Sequence, residues 1–309
     1  MSGIFKYSGA GNDFIVLDGR GKDLSEYRHV SRIRVLCDRK SGFRAADGRI
    51  GADGLMILSD PAAAPSGPGS VDFKMEFFNP DGSNGMMCGN GGRCITAFAA
   101  ELGIRPASGG EYAFEAADGL HLARILRKEG DKSIVRLLMA QPSGLKQYPE
   151  GWFINTGARH LVRFVDDLES LDVAAEGSSI RHDKAFAPEG VNVDFVSIEA
   201  EGRSWSKGAR PSHFAKARGP LPLEPRAASP FGPISCPSAT LAVRTFEKGV
   251  EAETQACGTG IVAAALVFNH LFPESASRTI TVHARKDDLE VEISPQEVWL
   301  TGPAELIHE

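Results

Sequence analysis

The sequence predicts a mixed α/β protein of two domains, each a curved mixed or antiparallel sheet wrapped around one central apolar helix. Three observations lead there. Runs rich in β-branched and aromatic residues recur along the chain and read as strands. Only two segments read as long helices, and both are apolar around most of their circumference, the pattern of a helix buried on all sides. Each of those helices follows a Cys-Gly-X-Gly stretch, one in either half of the 309 residues, so the halves read as diverged copies of one design.

The clearest strand runs are Phe73 to Phe78, Ile134 to Met139, Val191 to Ile198, Thr240 to Phe246, Thr279 to His283, Leu289 to Ile293 and Val298 to Thr301. The first helix follows Cys88-Gly89-Asn90-Gly91 and ends near Leu102, with Gly103 placed as its stop. The second follows Cys257-Gly258-Thr259-Gly260 and ends near Leu271, with Pro273 just beyond. Pro61 to Ser70 is a loop by composition. Glu201 to Ala239 carries seven of the 18 prolines and several basic residues. Such a segment does not pair as a central strand and reads as an exposed insertion, with room for a small basic docking patch.

Composition narrows the function. Hydrophobic residues make up 42% and charged residues 24% of the chain, the profile of a globular protein. The net charge of −6 gives no electrostatic ground for expecting nucleic acid as a partner. Met1 to Arg20 lacks the pattern of a signal peptide, and no run of about twenty apolar residues suggests a membrane span. A cytoplasmic location is expected. The five cysteines, at 37, 88, 94, 236 and 257, are odd in number and widely scattered, which argues for thiols over a disulfide framework. Five residues separate Cys88 from Cys94, longer than the usual spacing of paired zinc ligands, so no metal site is expected.

Cysteine acts as a base only as thiolate. The free thiol has a pKa of about 8.5, and a helix N-terminus lowers it. Gly89, Gly91 and Gly92, and likewise Gly258 and Gly260, leave first-turn N–H groups unshielded and able to bind a carboxylate. Removing the α-proton of an amino acid loads charge onto that carboxylate, and preorganised donors stabilise it. One thiolate and one thiol on opposite faces of an α-carbon would then invert its configuration without a cofactor. Cys37, Cys94 and Cys236 carry no such context and read as inert core thiols. A binding protein without turnover would be expected to lose one of the two motif cysteines, and both are present. Acyl transfer by one nucleophilic cysteine needs a partner base, for which two thiols are a poor substitute.

The flanking residues carry a resemblance over nearly the whole chain. They are Gly9-Ala10-Gly11-Asn12-Asp13-Phe14, Gly51-Ala52-Asp53-Gly54, Phe78-Asn79-Pro80-Asp81-Gly82-Ser83, Cys88 to Cys94, Val191-Asn192-Val193 and Glu253 to Gly260. In order and spacing the sequence resembles the diaminopimelate epimerases. The resemblance implies a cofactor-independent isomerase that interconverts LL- and meso-diaminopimelate in lysine and peptidoglycan synthesis. It implies two pseudo-symmetric α/β domains with the site in the cleft between them, and a homodimer. Cys88 and Cys257 resemble the acid/base thiols. Gly89, Asn90, Gly258 and Thr259 resemble the carboxylate cradle, and Asn12 a substrate-binding asparagine. Asn79, Asn192 and Glu247 resemble residues that hold the distal amino acid centre, and Lys248 stands where the family usually has arginine. His160 corresponds to a histidine near the catalytic pair, either supporting it or merely hydrogen-bonded. Ala158 replaces a common polar residue and Arg159 a common proline. These departures keep open a two-cysteine epimerase for another amino acid. The expected domains are residues 1–122, completed by a final strand at about 300–309, and 123–299 with the insertion at 201–239.

Overall fold

The computed structural model describes residues 3–61, 70–107, 109–199, 240–273 and 279–308. The interior of the loop between Pro61 and Ser70 and the excursion from Glu201 to Ala239, with Cys236, lie outside the described residues. In chain order the elements are β1 (Ile4–Gly9), β2 (Asn12–Asp18), α1 (Val30–Cys37), β3 (Leu55–Ser59), β4 (Phe73–Phe78) and α2 (Gly89–Glu101). Then come β5 (Tyr112–Ala116), β6 (Gly119–Glu129), β7 (Lys132–Leu138), β8 (Ser143–Tyr148), β9 (Gly151–Asn155), β10 (Arg159–Phe164) and α3 (Val173–Arg181). The chain continues with β11 (Asn192–Glu199), β12 (Thr240–Glu247), β13 (Ala252–Thr254), α4 (Gly258–Leu271), β14 (Thr279–His283), β15 (Asp288–Ile293) and β16 (Val298–Ile307). Among the described residues no helix is long and apolar enough to cross a membrane.

The chain divides into two compact units, Met1–Leu138 with Thr301–Glu309, and Met139–Leu300. The first therefore extends past the 122/123 boundary read from sequence. The reason is local: β6 runs through that point and pairs antiparallel with β7, which keeps both strands in one sheet.

In the first unit the strands follow the order β1-β2-β3-β4-β5-β6-β7-β16, and β16 also pairs with β1 through Lys6↔Ile307. The sheet is barrel-like and leaves no edge strand exposed. Helix α2 packs against β1, β2, β3, β6 and β7. Every residue from Gly89 to Ala99 is buried. Ile95 and Phe98 are fully enclosed, each contributing about 2 kcal/mol of transfer free energy. The helix stops as its sequence dictates. Gly103 adopts φ +76°, its N–H bonds the Ala100 carbonyl, and the Ile104 N–H reaches back to the Ala99 carbonyl at 3.0 Å. That is a Schellman stop, which needs the left-handed conformation glycine accepts. Helix α1 was not expected. It is one short amphipathic stretch burying Ile33, Leu36 and Cys37 against Ile15, Leu17, Leu55 and Ile57.

In the second unit the order is β8-β9-β10-β11-β12-β14-β15-β16, with β13 on the flank of β12. Helix α4 packs against β9, β10, β11, β12, β14 and β15, and α3 packs against β11, β12 and β13. Strand alternation sorts the residues between these two helices. Leu161, Val193, Phe195 and Phe246 join the cluster that holds Val173 and Ile180 of α3. Their strand neighbours His160, Asn192, Asp194 and Thr245 point to the other face, where α4 lies. Adjacent register pairs bring them together: His160 opposite Asn192, and Asp194 opposite Thr245.

One polar knot sits inside the first unit. Lys6 is fully buried, and its Nζ bonds Asp13 Oδ2 at 2.7 Å and the Gly51 carbonyl at 2.6 Å. Arg39 bonds the other Asp13 oxygen at 2.6 Å. Burial alone would raise the Asp13 carboxyl, but hydrogen bonds from Arg39 and Lys6 outweigh it and hold it below the usual carboxylate range. Its contribution to stability is therefore present above the ordinary aspartate pKa and lost as pH falls through the depressed value. Replacing Lys6 by Met leaves the carboxylate with Arg39 alone. Urea denaturation at neutral pH should show a loss of about 3 kcal/mol.

Candidate active site

Each unit places a cysteine at the N-cap of its buried helix. In the first, Cys88 takes extended backbone angles (φ −110°, ψ 149°) and its Sγ accepts the Gly91 N–H at 3.2 Å. The Gly92 N–H bonds the Cys88 carbonyl at 2.8 Å. The first-turn glycines are closely packed here. A Cβ at Gly91 would stand 3.2 Å from Cys88 Sγ and 3.3 Å from Met56 Sδ, and one at Gly92 would stand 3.0 Å from Leu137.

Asn90 and Asn12, expected to bind substrate, are joined directly. Asn90 Nδ2 donates to Asn12 Oδ1 at 2.6 Å, while Arg93 Nη2 donates to Asn90 Oδ1 at 2.6 Å. Asn12 Nδ2 in turn donates to Asp53 Oδ2 at 3.0 Å, and Arg39 pairs with Asp53. A chain of amides is thus anchored by a buried guanidinium at one end and a carboxylate at the other, which fixes the amide orientations. Asn79 belongs to the turn after β4, where its N–H bonds the Ser83 carbonyl at 2.9 Å and its Nδ2 bonds Ser83 Oγ at 3.0 Å. Gly82, at φ +82°, closes that turn.

In the second unit Cys257 caps α4 with angles (φ −108°, ψ 109°) close to those of Cys88, and is 8% exposed. Its Sγ lies 3.5 Å from Thr259 Oγ1. Thr259 Oγ1 is 2.9 Å from His160 Nε2, and His160 Nδ1 is 2.7 Å from Asp194 Oδ2. Thr245 Oγ1 donates to the other Asp194 oxygen at 2.8 Å. Asn192 accepts the Lys248 N–H on its Oδ1 at 2.8 Å and donates from Nδ2 to the Arg159 carbonyl at 3.2 Å. Residues Asn192, Lys248, His160, Thr259 and Cys257 are therefore linked. Glu247, at the end of β12, acts on Cys257 through its charge. Arg159 pairs with Glu189 and lies over the Phe153 ring.

The thiols are not equivalent to simple helix-end cysteines. Burial pushes the Cys257 thiol well above its ordinary value, and the carboxylates of Glu247 and Asp194 push the same way. The Thr259 hydroxyl and the Gly260 N–H oppose them without winning. The expectation that the helix terminus lowers this thiol is corrected: desolvation is the larger effect. Cys37 is pushed up to about 12 by burial, and burial raises Cys94 as well. Both remain protonated at neutral pH, in keeping with core packing.

A sequence profile described as diaminopimelate epimerase matches residues 4–142. A diaminopimelate epimerase of Chlorobaculum tepidum is 37% identical over 308 residues, spanning 97% of this chain and 97% of its own. The chain belongs to the diaminopimelate epimerase family. The family member from Flavobacterium psychrophilum is 33% identical and covers 99% of this chain and 98% of its own. Among solved structures, a Bacillus anthracis phenazine biosynthesis protein of the PhzF family superposes with TM-score 0.60 at 12% identity, covering 98% and 96% of the two chains. A probable proline racemase from Agrobacterium radiobacter gives TM-score 0.54 at 15% identity, covering 99% and 92%. At that identity these two show the mixed α/β fold alone.

Sequence reasoning gave no site role to Asp194, Thr245 or Arg39, and named Asp53 only within the Gly51-Ala52-Asp53-Gly54 match. Asp194 did leave a signal, a lone charge within an apolar strand run. Its place is tightly defined, since a Cβ on Gly260 would stand 2.2 Å from Asp194 Oδ1. Gly260→Ala should therefore displace the carboxylate and cost about 2 kcal/mol, read as a lower urea midpoint, together with reduced turnover.

Proposed function

We propose that this family member is the isomerase that interconverts LL- and meso-diaminopimelate, with Cys88 and Cys257 as its two acid/base groups. The observation that carries the reading is the same device in each unit: a cysteine N-cap on a largely buried helix that opens with glycines. One cysteine, as thiolate, takes the α-proton and becomes a thiol. The electron pair left on the α-carbon spreads into the substrate carboxylate, held by first-turn N–H groups at Gly89-Asn90 and Gly258-Thr259. The other cysteine gives its S–H proton to the opposite face and becomes thiolate. One C–H bond breaks and one forms, so the stereocentre inverts and no oxidant or cofactor is required.

Asn12 lies on the substrate side of the Cys88 half. Asn79, Asn192, Glu247 and Lys248 hold the distal amino acid centre, and His160 supports Cys257. The two units act as pseudo-symmetric domains, in the cytoplasm and in a homodimer, supplying lysine and peptidoglycan precursors. Nucleic acid and membrane play no part in this scheme.

A second reading, a two-thiol epimerase for another amino acid, is favoured by one feature. Arg159 is engaged by Glu189, and Lys248 replaces an arginine, so the distal carboxylate meets a different set of cations.

Incubation with LL-diaminopimelate in deuterium oxide should give the meso product with deuterium at the inverted α-carbon. Absence of both, with exchange into another amino acid, would establish the second reading. Cys88→Ser and Cys257→Ser should each lower turnover about 10³-fold, the scale of a lost general acid–base group. Near-normal turnover in either variant would sink the two-base scheme.

A further inference from the structure

Asp194 has no counterpart among the roles assigned above, yet it is the most enclosed charge near Cys257, with its side chain fully buried. Its two oxygens are both engaged, by His160 Nδ1 at 2.7 Å and by Thr245 Oγ1 at 2.8 Å. The bare Cα of Gly260 makes room for it in the first turn of α4, where the helix dipole favours a negative charge.

The hydrogen bonds around His160 have only one consistent direction. A carboxylate only accepts, so Nδ1 carries the imidazole proton. In the neutral imidazole Nε2 is then an acceptor. Asn192 supports this independently. Its Oδ1 takes the Lys248 N–H, so its Nδ2 is the atom facing Nε2 at 3.4 Å and can only donate. The Thr259 hydroxyl, 2.9 Å away, therefore donates its proton to Nε2 as well. That leaves a Thr259 lone pair toward Cys257 Sγ at 3.5 Å, and the S–H donates to it.

We propose that Asp194 is a positioning residue for epimerisation: by fixing the His160 tautomer it orients Thr259 to receive the Cys257 proton. The inference rests on the two-thiol reading. When Cys257 must become the base, its S–H proton moves to Thr259 Oγ1 as the Thr259 proton moves to His160 Nε2. The products are a Cys257 thiolate and a His160 imidazolium beside the Asp194 carboxylate, and the total charge is unchanged. The groups facing Cys257 are Glu247 from β12, Asp194 from β11, His160 from β10 through Thr259, and the Gly260 N–H of α4. Burial, Glu247 and the charge of Asp194 itself oppose the thiolate, and the relay offsets them by giving the proton a fixed destination.

The test is the pH dependence of iodoacetamide alkylation at Cys257 and Cys88, resolved by peptide mass spectrometry, beside the pH profile of kcat/KM. In Asp194→Asn the amide can donate to Nδ1, which reverses the chain. Loss of the Asp194 charge alone would move the Cys257 alkylation curve to lower pH; with the relay broken the curve should instead move to higher pH, with a rate about tenfold lower near pH 7, equivalent to one pKa unit. The Cys88 curve should stay in place. Thr259→Val should reproduce the shift and Thr259→Ser should restore the parent curve, and this pair decides the matter where Asp194→Asn does not fold. A Cys257 curve unmoved in the folded variants, or a Cys88 curve that moves with it, overturns the proposal. Alkylation needs no substrate, so this outcome is separate from that of the Cys→Ser variants.

Discussion

An α-helix surrounded by sheet on every side meets a ligand only at its ends, and its first turn always leaves N–H groups without intrahelical partners. That constraint organises this protein. Helices α2 and α4 are enclosed by strands over nearly their whole length. Burial supplies their stability, because their first turns are poor helix formers: a helical glycine costs about 1 kcal/mol relative to alanine. The same glycines let neighbours come close. A Cβ at Gly9 would stand 2.9 Å from Cys94 Sγ and 3.0 Å from the Asn90 carbonyl, so the β1–β2 turn rests directly on α2. The weak helix starts leave their N-terminal N–H groups unshielded, which is what the proposed carboxylate cradle requires.

The two cysteine caps share a frame and differ in surroundings. At Cys88 the sulfur accepts a backbone N–H, and the neighbouring side chains form a neutral amide chain pinned by Arg93 and Asp53. At Cys257 the sulfur faces a hydroxyl backed by a histidine and a buried carboxylate. The first arrangement suits a sulfur that already carries charge, since a donor hydrogen bond strengthens to an anion. The second suits a sulfur that carries a proton and has somewhere to send it. A two-thiol reaction that runs both ways, as proposed, needs thiol and thiolate to be reachable at each cysteine, and the two surroundings favour different ones.

Much of this was legible in the sequence where the signal is local. The cysteine caps, the Gly103 stop and the strands β4 and β14 are set by neighbouring residues, and the structure has them where the pattern places them. The run Val298 to Thr301 and the final strand expected at about 300–309 prove to be one continuous strand, β16, ending at Ile307. Helices α1 and α3 are too short, and bury too few residues, for periodicity to reveal them. Of the site, Cys88, Asn12 and Asn90 come together in one unit, and Cys257, Thr259, His160, Asn192 and Lys248 in the other. Asp194 escaped because β11 is buried on both faces, which erases the alternation that would have marked its side. The Lys6–Asp13–Arg39 knot draws in Arg39 from 26 positions away, and burial of Cys257 is a tertiary property that a helix-end argument does not contain.

In the proposed scheme, Asn192 is where recognition and proton transfer meet. Its oxygen holds the Lys248 N–H, at the position where the family usually has arginine. Its amide nitrogen is shared between the Arg159 carbonyl and His160 Nε2. The segments carrying Lys248 and Arg159 are thereby tied to the imidazole that receives the relay's proton. Lysine at 248 keeps this tie, because the tie runs through its backbone and not its side chain. What changes is the head group offered to a ligand, a point charge in place of a bidentate fork. On the proposed roles, the substitution alters the reach of the distal pocket while leaving the chain from Asn192 through His160 to Cys257 intact, so specificity could drift here without disturbing the chemistry.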